Sequence, residues 1–443
     1  MNRKTFLLSL SVFILLCPLL HGFMGRLFSP LFYLVLIVFV WLGSRLPQKK
    51  PDIPFEKYIR LLFYALLAFT LLQVIPLPMF LLKTVSPSTV DALVLLKDRT
   101  PAFHPVSLVP FETIINLLQL AVLALFFRMI LSAAWKKKEL VSLCTVTVVS
   151  GIVLIPVCAG GFLSPGTRFA AFYLAMVFPL APALLLLKLR YLESSRGLAE
   201  KFLSRVVRRK SVMGYLLATL ALAGGILLIR SRPALLTFFL SCLLFFMWVY
   251  YFKRPRDTRK RLRTTFLVVG VLAIAIGLQS TVMHIAQHGD GGAPESKRWK
   301  QTIAMLRAFP LTGAGFGAWE TANFLYDPMD EVRWTPGANN GGLEILAEGG
   351  IVGGGLLALL ILLIGAAIFK KWRSRRHPQV KVLGLGILVS LFAAAFHTVF
   401  NASLRVPSNL LVFVLLLALG IKIANYRRTP AVHPRKINPD EHD

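Results

Sequence analysis

The sequence predicts an all-α, polytopic membrane bundle of about twelve transmembrane helices, and three observations carry that expectation. Of the 443 residues 56% are hydrophobic and 16% charged, and the mean hydropathy is +0.68. A water-soluble globule has no interior large enough for that much apolar surface. Second, the apolar residues fall in uninterrupted runs near the ~20 residues that cross a ~30 Å hydrocarbon core. Third, the basic residues alternate in density from one inter-run segment to the next, as the positive-inside rule requires.

The runs are, in order, 5–22, 28–45, 59–77, 113–133, 140–159, 169–188, 213–230, 234–252, 264–284, 346–369, 381–400 and 407–423. Alternating strands of barrel type are absent, so helices must satisfy the backbone within the bilayer. The first run follows Asn2, Arg3 and Lys4 and could be read as a signal peptide. It lacks a small-residue cleavage site, with Pro18 and His21 where one would fall, so it reads as a retained helix. With the N-terminus inside, 36 of the 50 Lys and Arg lie on the cytoplasmic side. They form clusters at 45–60, 136–138, 188–210, 253–263 and 370–381, with a further group in the tail. This distribution accounts for the net charge of +30 and argues against nucleic acid as the partner. Both termini are then cytoplasmic. The membrane domain covers 1–423, and a polar tail occupies 424–443.

Two connections on the opposite side are long. The segment from Pro76 to Phe111 places Met79, Leu81, Leu82, Val85, Val90, Leu93 and Leu95 as amphipathic pieces along the interface. A periplasmic loop at 285–342, between the ninth and tenth helices, holds Trp299, Trp319 and Trp334. Within it Trp299, Ile303, Leu306 and Phe309 are spaced as one helical face that Pro310 ends. The "GAGFG" run at 313–317 follows no strand and is not read as a nucleotide loop. The four cysteines, Cys17, Cys144, Cys158 and Cys242, sit in or beside apolar runs without a CxxC spacing. They predict neither a disulfide framework nor a zinc site.

Candidate chemistry gathers near the outer surface, in Arg168, Arg230, Arg232, Arg298, Arg307, Glu320, Arg333, Asn339, Asn340, Glu344, Glu348, His397 and Arg405. Arginines on that side run against the charge bias and need a reason. A planar guanidinium fork suits phosphate oxygens, so an anionic lipid diphosphate would supply one. Interfacial snorkelling is the plain structural alternative for Arg230 and Arg232, and a solvated position is the alternative for Arg298. In "GANNGGLEILAEGGIVGGG" at 337–355, Asn339 or Asn340 is a natural N-cap. Gly341 and Gly342 should leave the first backbone N–H groups of the helix uncovered, as an anion cradle. Glu344 and Glu348 share a face one turn further in. They serve either as first-turn acids complementing the helix dipole or as a general base.

The chain also resembles the O-antigen ligase and O-antigen polymerase superfamily of bacterial inner-membrane proteins. The resemblance rests on "QVIPLP" at 73–78, "SP" at 86–87, "SLVPFET" at 107–113 and "SRPALL" at 231–236. It continues through "RWKQTIAMLRAFPLTGAGFGAWE" at 298–320, "NNGGLEILAEGGIVGG" at 339–354 and "FHTVFNASLRVPSNLL" at 396–411. It implies a metal-independent enzyme without cofactor, which moves a glycan from undecaprenyl diphosphate at the periplasmic face. The acceptor is a sugar hydroxyl of lipid A-core for a ligase, or of another lipid-linked repeat for a polymerase. The family's diphosphate-binding arginines fall on Arg232 and Arg298, joined in this reading by Arg168. Two departures stand out. The family's His-Asn pair at the start of the tenth helix reads Asn339-Asn340 here, and an amide takes no proton at neutral pH. An Asn-rich insert before the sixth span is also missing, with only "GTRFAAFYLAM" at 166–176. The base then lies elsewhere, at Glu344, Glu348 or His397, or the diphosphate leaving group carries most of the reaction; the leading expectation places acceptor orientation on Asn339 and Asn340 and proton acceptance on Glu344 or Glu348. The alternatives from other classes are a twelve-span carrier, weakened by the lack of mid-membrane acids, and a catalytically impaired scaffold of a polysaccharide assembly complex.

Overall fold

The computed structural model describes residues 2–24, 28–96, 101–159, 167–189, 210–229, 231–253, 294–326, 337–375 and 377–426. The protein is a helical, multi-pass membrane bundle. Eight of the described helices are long and apolar enough to cross a membrane, and two shorter ones, Phe28–Ser44 and Arg232–Trp248, are apolar over a shorter length. Every run predicted as a span overlaps helix except 264–284, which lies outside the described residues; the run 59–77 overshoots its helix, which ends at Leu72.

The chain begins with α1 (Arg3–Met24), α2 (Phe28–Ser44) and α3 (Glu56–Leu72). A two-stranded antiparallel ribbon, β1 (Leu77–Pro78) with β2 (Phe103–His104), then brackets α4 (Met79–Val85) and α5 (Pro87–Leu96). These are the amphipathic pieces expected between Pro76 and Phe111. Leu82, Val90, Leu93 and Val106 form their own small core, whereas Leu81 and Val85 remain exposed. The Ser86–Pro87 pair starts α5, and the Ser86 and Thr89 hydroxyls bond each other at 2.8 Å.

Next come α6 (Pro110–Ser132), α7 (Lys137–Ala159), α8 (Thr167–Val177) and α9 (Leu180–Leu189). The single span expected at 169–188 is thus broken at 178–179, where Pro179 has no N–H to continue the ladder. The later helices are α10 (Lys210–Ile229), α11 (Arg232–Lys253), α12 (Pro294–Ala308), α13 (Trp319–Ala322), α14 (Gly341–Ser374), α15 (Pro378–Thr398) and α16 (Pro407–Asn425). The windows at 168–189, 407–425 and 378–398 are 89%, 83% and 72% buried, so α8–α9, α16 and α15 are the centre around which the others pack. Their inward faces are dense in Ala, Gly and Leu. A methyl on Gly386 would lie 2.5 Å from the Ala183 methyl group, so small side chains let α15 close on α9.

One end of the bundle is tied by basic side chains. Arg3 pairs with Glu139 and Lys371 with Asp52, while Lys422 Nζ donates to the Lys49 and Ala133 carbonyls at 3.1 and 2.8 Å. The opposite end of α14 carries Asn340, Glu344 and Glu348. Cys17 and Cys144 are buried and Cys242 is half-buried, as apolar fillers; the Cys158 side chain lies outside the described residues.

Candidate functional site

The site is organised by a break in α14. Gly350 has φ 63° and ψ −172°, a combination reserved for glycine, so the helix opens there. In an unbroken helix the amides of Ile351 and Val352 would bond the carbonyls of Ala347 and Glu348. Here they donate instead to Pro310 O at 2.8 Å and Leu311 O at 3.3 Å. The freed carbonyls accept from the amides of Ala314 and Gly315, each at 3.0 Å. The segment 310–315 has entered the helix and exchanged both broken bonds, so these two amides and two carbonyls are paired again. Gly313, at φ 68°, is what permits the approach, since a methyl there would lie 2.1 Å from the Glu348 carbonyl oxygen.

Gln73, at the end of α3, staples the same junction. Its Nε2 donates to Thr312 O at 2.7 Å and Glu348 O at 3.2 Å, and its Oε1 accepts from the Phe316 amide at 3.3 Å. Phe316 sits over Gly349 and Gly353 and meets Phe69 edge-on. Leu108 N–H donates to Ala314 O at 2.9 Å, and the Ser88 hydroxyl donates to Ala308 O at 2.6 Å. The described parts of the two long connections predicted from the sequence therefore form one folded cap over the start of α14.

Inside that cap lies a cluster of three charges. Arg405, in the short 3-10 turn Ser403–Arg405, extends between the two carboxylates of α14. Its Nη1 lies 2.8 Å from Glu344 Oε1 and 2.9 Å from Glu348 Oε1, and its Nη2 bonds Glu348 Oε2. Glu344 Oε2 also accepts from the Ala338 amide at 3.1 Å, and Glu348 Oε1 from the Trp319 amide at 3.0 Å. Glu348 is fully buried and Glu344 nearly so, whereas the Arg405 side chain keeps 36% of its surface exposed. Partial burial disfavours the Arg405 cation, but Glu344, Glu348 and, more distantly, Glu320 outweigh it, so the guanidinium is held above its ordinary pKa and stays charged.

Asn340 is the N-cap, its Oδ1 accepting from the Leu343 amide at 3.0 Å. Asn339, just before it, is left-handed at φ 56°, a conformation asparagine tolerates better than most residues. The expectation that both following glycines leave backbone uncovered fits Gly342 alone. Gly341 is buried, and a methyl on it would lie 2.8 Å from Thr398 Cγ2, so its missing side chain serves packing against the end of α15. His397, one residue earlier, is fully buried with its ring 5.1 Å from that of Phe172.

The predicted arginines take different places. Arg298 is half-buried on α12, and its carbonyl accepts from the Thr302 hydroxyl at 2.7 Å. That hydroxyl accepts from the Trp319 indole at 3.1 Å, and the Trp319 amide reaches Glu348. Arg298 is thus two side chains from the charge cluster. Arg168 is exposed at the first turn of α8, and its carbonyl accepts from Asn401 Nδ2 at 3.2 Å. Asn401 in turn caps Ser403, in the turn that carries Arg405. Arg232 opens α11 and is exposed; α11 packs on α8 and α15. Arg230, Arg333 and Trp334 lie outside the described residues. On α12 the fully buried stripe is Thr302, Met305 and Phe309, with Gln301 nearly so; of the expected face only Phe309 belongs to it. The register is displaced because Thr302 turns inward to bond Trp319.

Sequence alone assigns no function to Gln73 or Gly350, and it marks Arg405 only as one of the arginines on the unfavoured side. A polar side chain ending an apolar run and a glycine pair following an acid are the signals that mark the first two.

Comparison with known proteins adds one finding. Residues 217–358 match the family model described as O-antigen ligase. The matched segment contains Arg232, Arg298, Asn339, Asn340, Glu344 and Glu348, and ends before Arg405. No curated protein matches the chain. Residues 217–358, about a third of the chain, are thus similar to the O-antigen ligase family, and they lie within a multi-pass membrane protein.

Proposed function

We propose that the protein transfers a glycan from undecaprenyl diphosphate to a sugar hydroxyl, at the periplasmic face of a bacterial inner membrane. The acceptor is lipid A-core or a second lipid-linked repeat. The observation that supports this reading is that the family-matched segment contains Arg232, Arg298 and the start of α14 in its sequence, and that the Arg298 helix packs on α14.

In the transfer, the bond between the anomeric carbon and the diphosphate oxygen breaks as a bond forms from the acceptor hydroxyl oxygen to that carbon. The leaving diphosphate keeps the bonding electron pair, and Arg232 and Arg298, with Arg168, neutralise the charge it gains. Asn339 and Asn340 orient the acceptor at the helix start. As the new bond forms, the attacking oxygen becomes strongly acidic, so a weakly basic carboxylate suffices to take its proton. Glu344 fits that role better than Glu348. Its Oε2 faces the Ala338 amide beside Asn339, whereas Glu348 turns both oxygens to Arg405 and the Trp319 amide.

The test is transfer by purified protein in liposomes supplied with lipid-linked glycan and acceptor. Arg232→Ala and Arg298→Ala are expected to lower turnover strongly. If both retain wild-type turnover, the proposed diphosphate site is wrong.

A further inference from the structure

We propose that Arg405 is a positioning residue for the transfer: by bridging Glu344 and Glu348 it sets the acceptor-orienting segment at 337–340 against the donor-side segment at 298–320. The proposal deepens the glycan-transfer reading and rests on it. Arg405 lies beyond the family-matched segment, so the argument comes from its contacts.

Each carboxylate has two clients. Glu344 holds Arg405 with one oxygen and the Ala338 amide with the other. Glu348 holds Arg405 with both oxygens and the Trp319 amide with one of them. Ala338 precedes Asn339 and Asn340. Trp319 is tied through its indole to Thr302, one turn along α12 from Arg298. The two segments share an apolar cluster that holds Ala338 with Met305, Phe309 and Trp319, and their polar link runs through carboxylates one helical turn apart on α14, with Arg405 the cation both share. Without it, two anions at that spacing repel inside a mostly buried site, and each would relax away from its own amide. The planar guanidinium presents parallel donors to both at once, which a lysine ammonium cannot do with the same geometry. The turn that carries Arg405 is itself fixed by Asn401, which also bonds the Arg168 carbonyl, so the third predicted arginine is tied to the same clamp.

The experiment uses the full chain in liposomes, with steady-state transfer and deuterium exchange at the Ala338 and Trp319 amides. Arg405→Ala is expected to lower kcat by roughly 10²-fold, the cost of about 1 Å of misplacement, while donor KM is unchanged. Exchange at both amides should rise together. Arg405→Lys is expected to regain thermal stability yet stay about tenfold or more below wild-type kcat, because positioning needs the fork rather than the charge. Glu348→Ala, which removes the acceptor, should release the Trp319 amide and leave Ala338 protected. The proposal is overturned if Arg405→Ala keeps wild-type kcat, if donor KM rises at constant kcat, or if Arg405→Lys restores stability and kcat together. Should Arg405→Ala fail to fold, Arg405→Lys and Glu348→Ala decide the matter on the same readouts. Wild-type protein with no transfer would remove the functional reading, whereas paired exchange at the two amides tests the clamp without any turnover.

Discussion

Replacing Gly350 with alanine puts a methyl group 2.2 Å from the Leu311 carbonyl oxygen and 2.7 Å from the Gly313 nitrogen. Both are backbone atoms, so no side chain can swing aside. The backbone at φ 63°, ψ −172° is also closed to an L-residue, at a cost of about 1–3 kcal/mol. Escape lies either in restoring a straight helix or in expelling 310–315. Both routes surrender the bonds at Ile351, Val352, Ala314 and Gly315, each with a net contribution of about 0.5–1.5 kcal/mol. A straightened helix regains two of the four within itself and sheds the strain, so escape costs about 1–3 kcal/mol. Local opening should then speed deuterium exchange at the Ala314 and Gly315 amides by roughly 10²-fold. Gly355→Ala is the control, since a methyl there meets nothing within 4 Å. Equal exchange in the two variants would refute the claim that the cap is seated in the helix break.

Other consequences are more local. Asn340→Ala removes the cap on the Leu343 amide and should lower stability by about 1 kcal/mol in thermal unfolding, while Asn340→Asp keeps the acceptor and most of the stability. Thr302→Val leaves the buried Trp319 indole without its acceptor, a loss of about 1–3 kcal/mol that Thr302→Ser should largely recover in the same melts. Arg298→Ala should reduce kcat/KM by roughly 10- to 100-fold, the equivalent of one charge-assisted contact of about 1.5–3 kcal/mol; steady-state transfer assays read this directly.

What the residues disclosed, and what they withheld, follows from the range of the interactions involved. Spans such as 113–133 and 407–423 were legible because a bilayer imposes one length and one polarity on every crossing. The N-cap at Asn340 was legible because capping is decided within four residues. The break at Gly350 was not, because the apolar pattern continues across it and its partner segment lies some forty positions away. A still longer separation hid the pairing of Arg405 with Glu344 and Glu348, which joins residues 57 apart for the second carboxylate. Both acids were recognised as sharing a face, but only the fold shows that this face is already occupied by a cation. On α12 apolar periodicity pointed to Trp299 and Ile303, and a single inward threonine moved the buried stripe to one side.

The account depends on Arg232 and Arg298 facing one compartment around one diphosphate. Cysteines introduced beside them, as Ser231→Cys and Lys300→Cys, leave both arginines in place and can be probed in intact spheroplasts with a membrane-impermeant maleimide. The account predicts that both label from the periplasmic side and that undecaprenyl diphosphate-linked glycan protects both. Labelling from opposite sides of the membrane would contradict it.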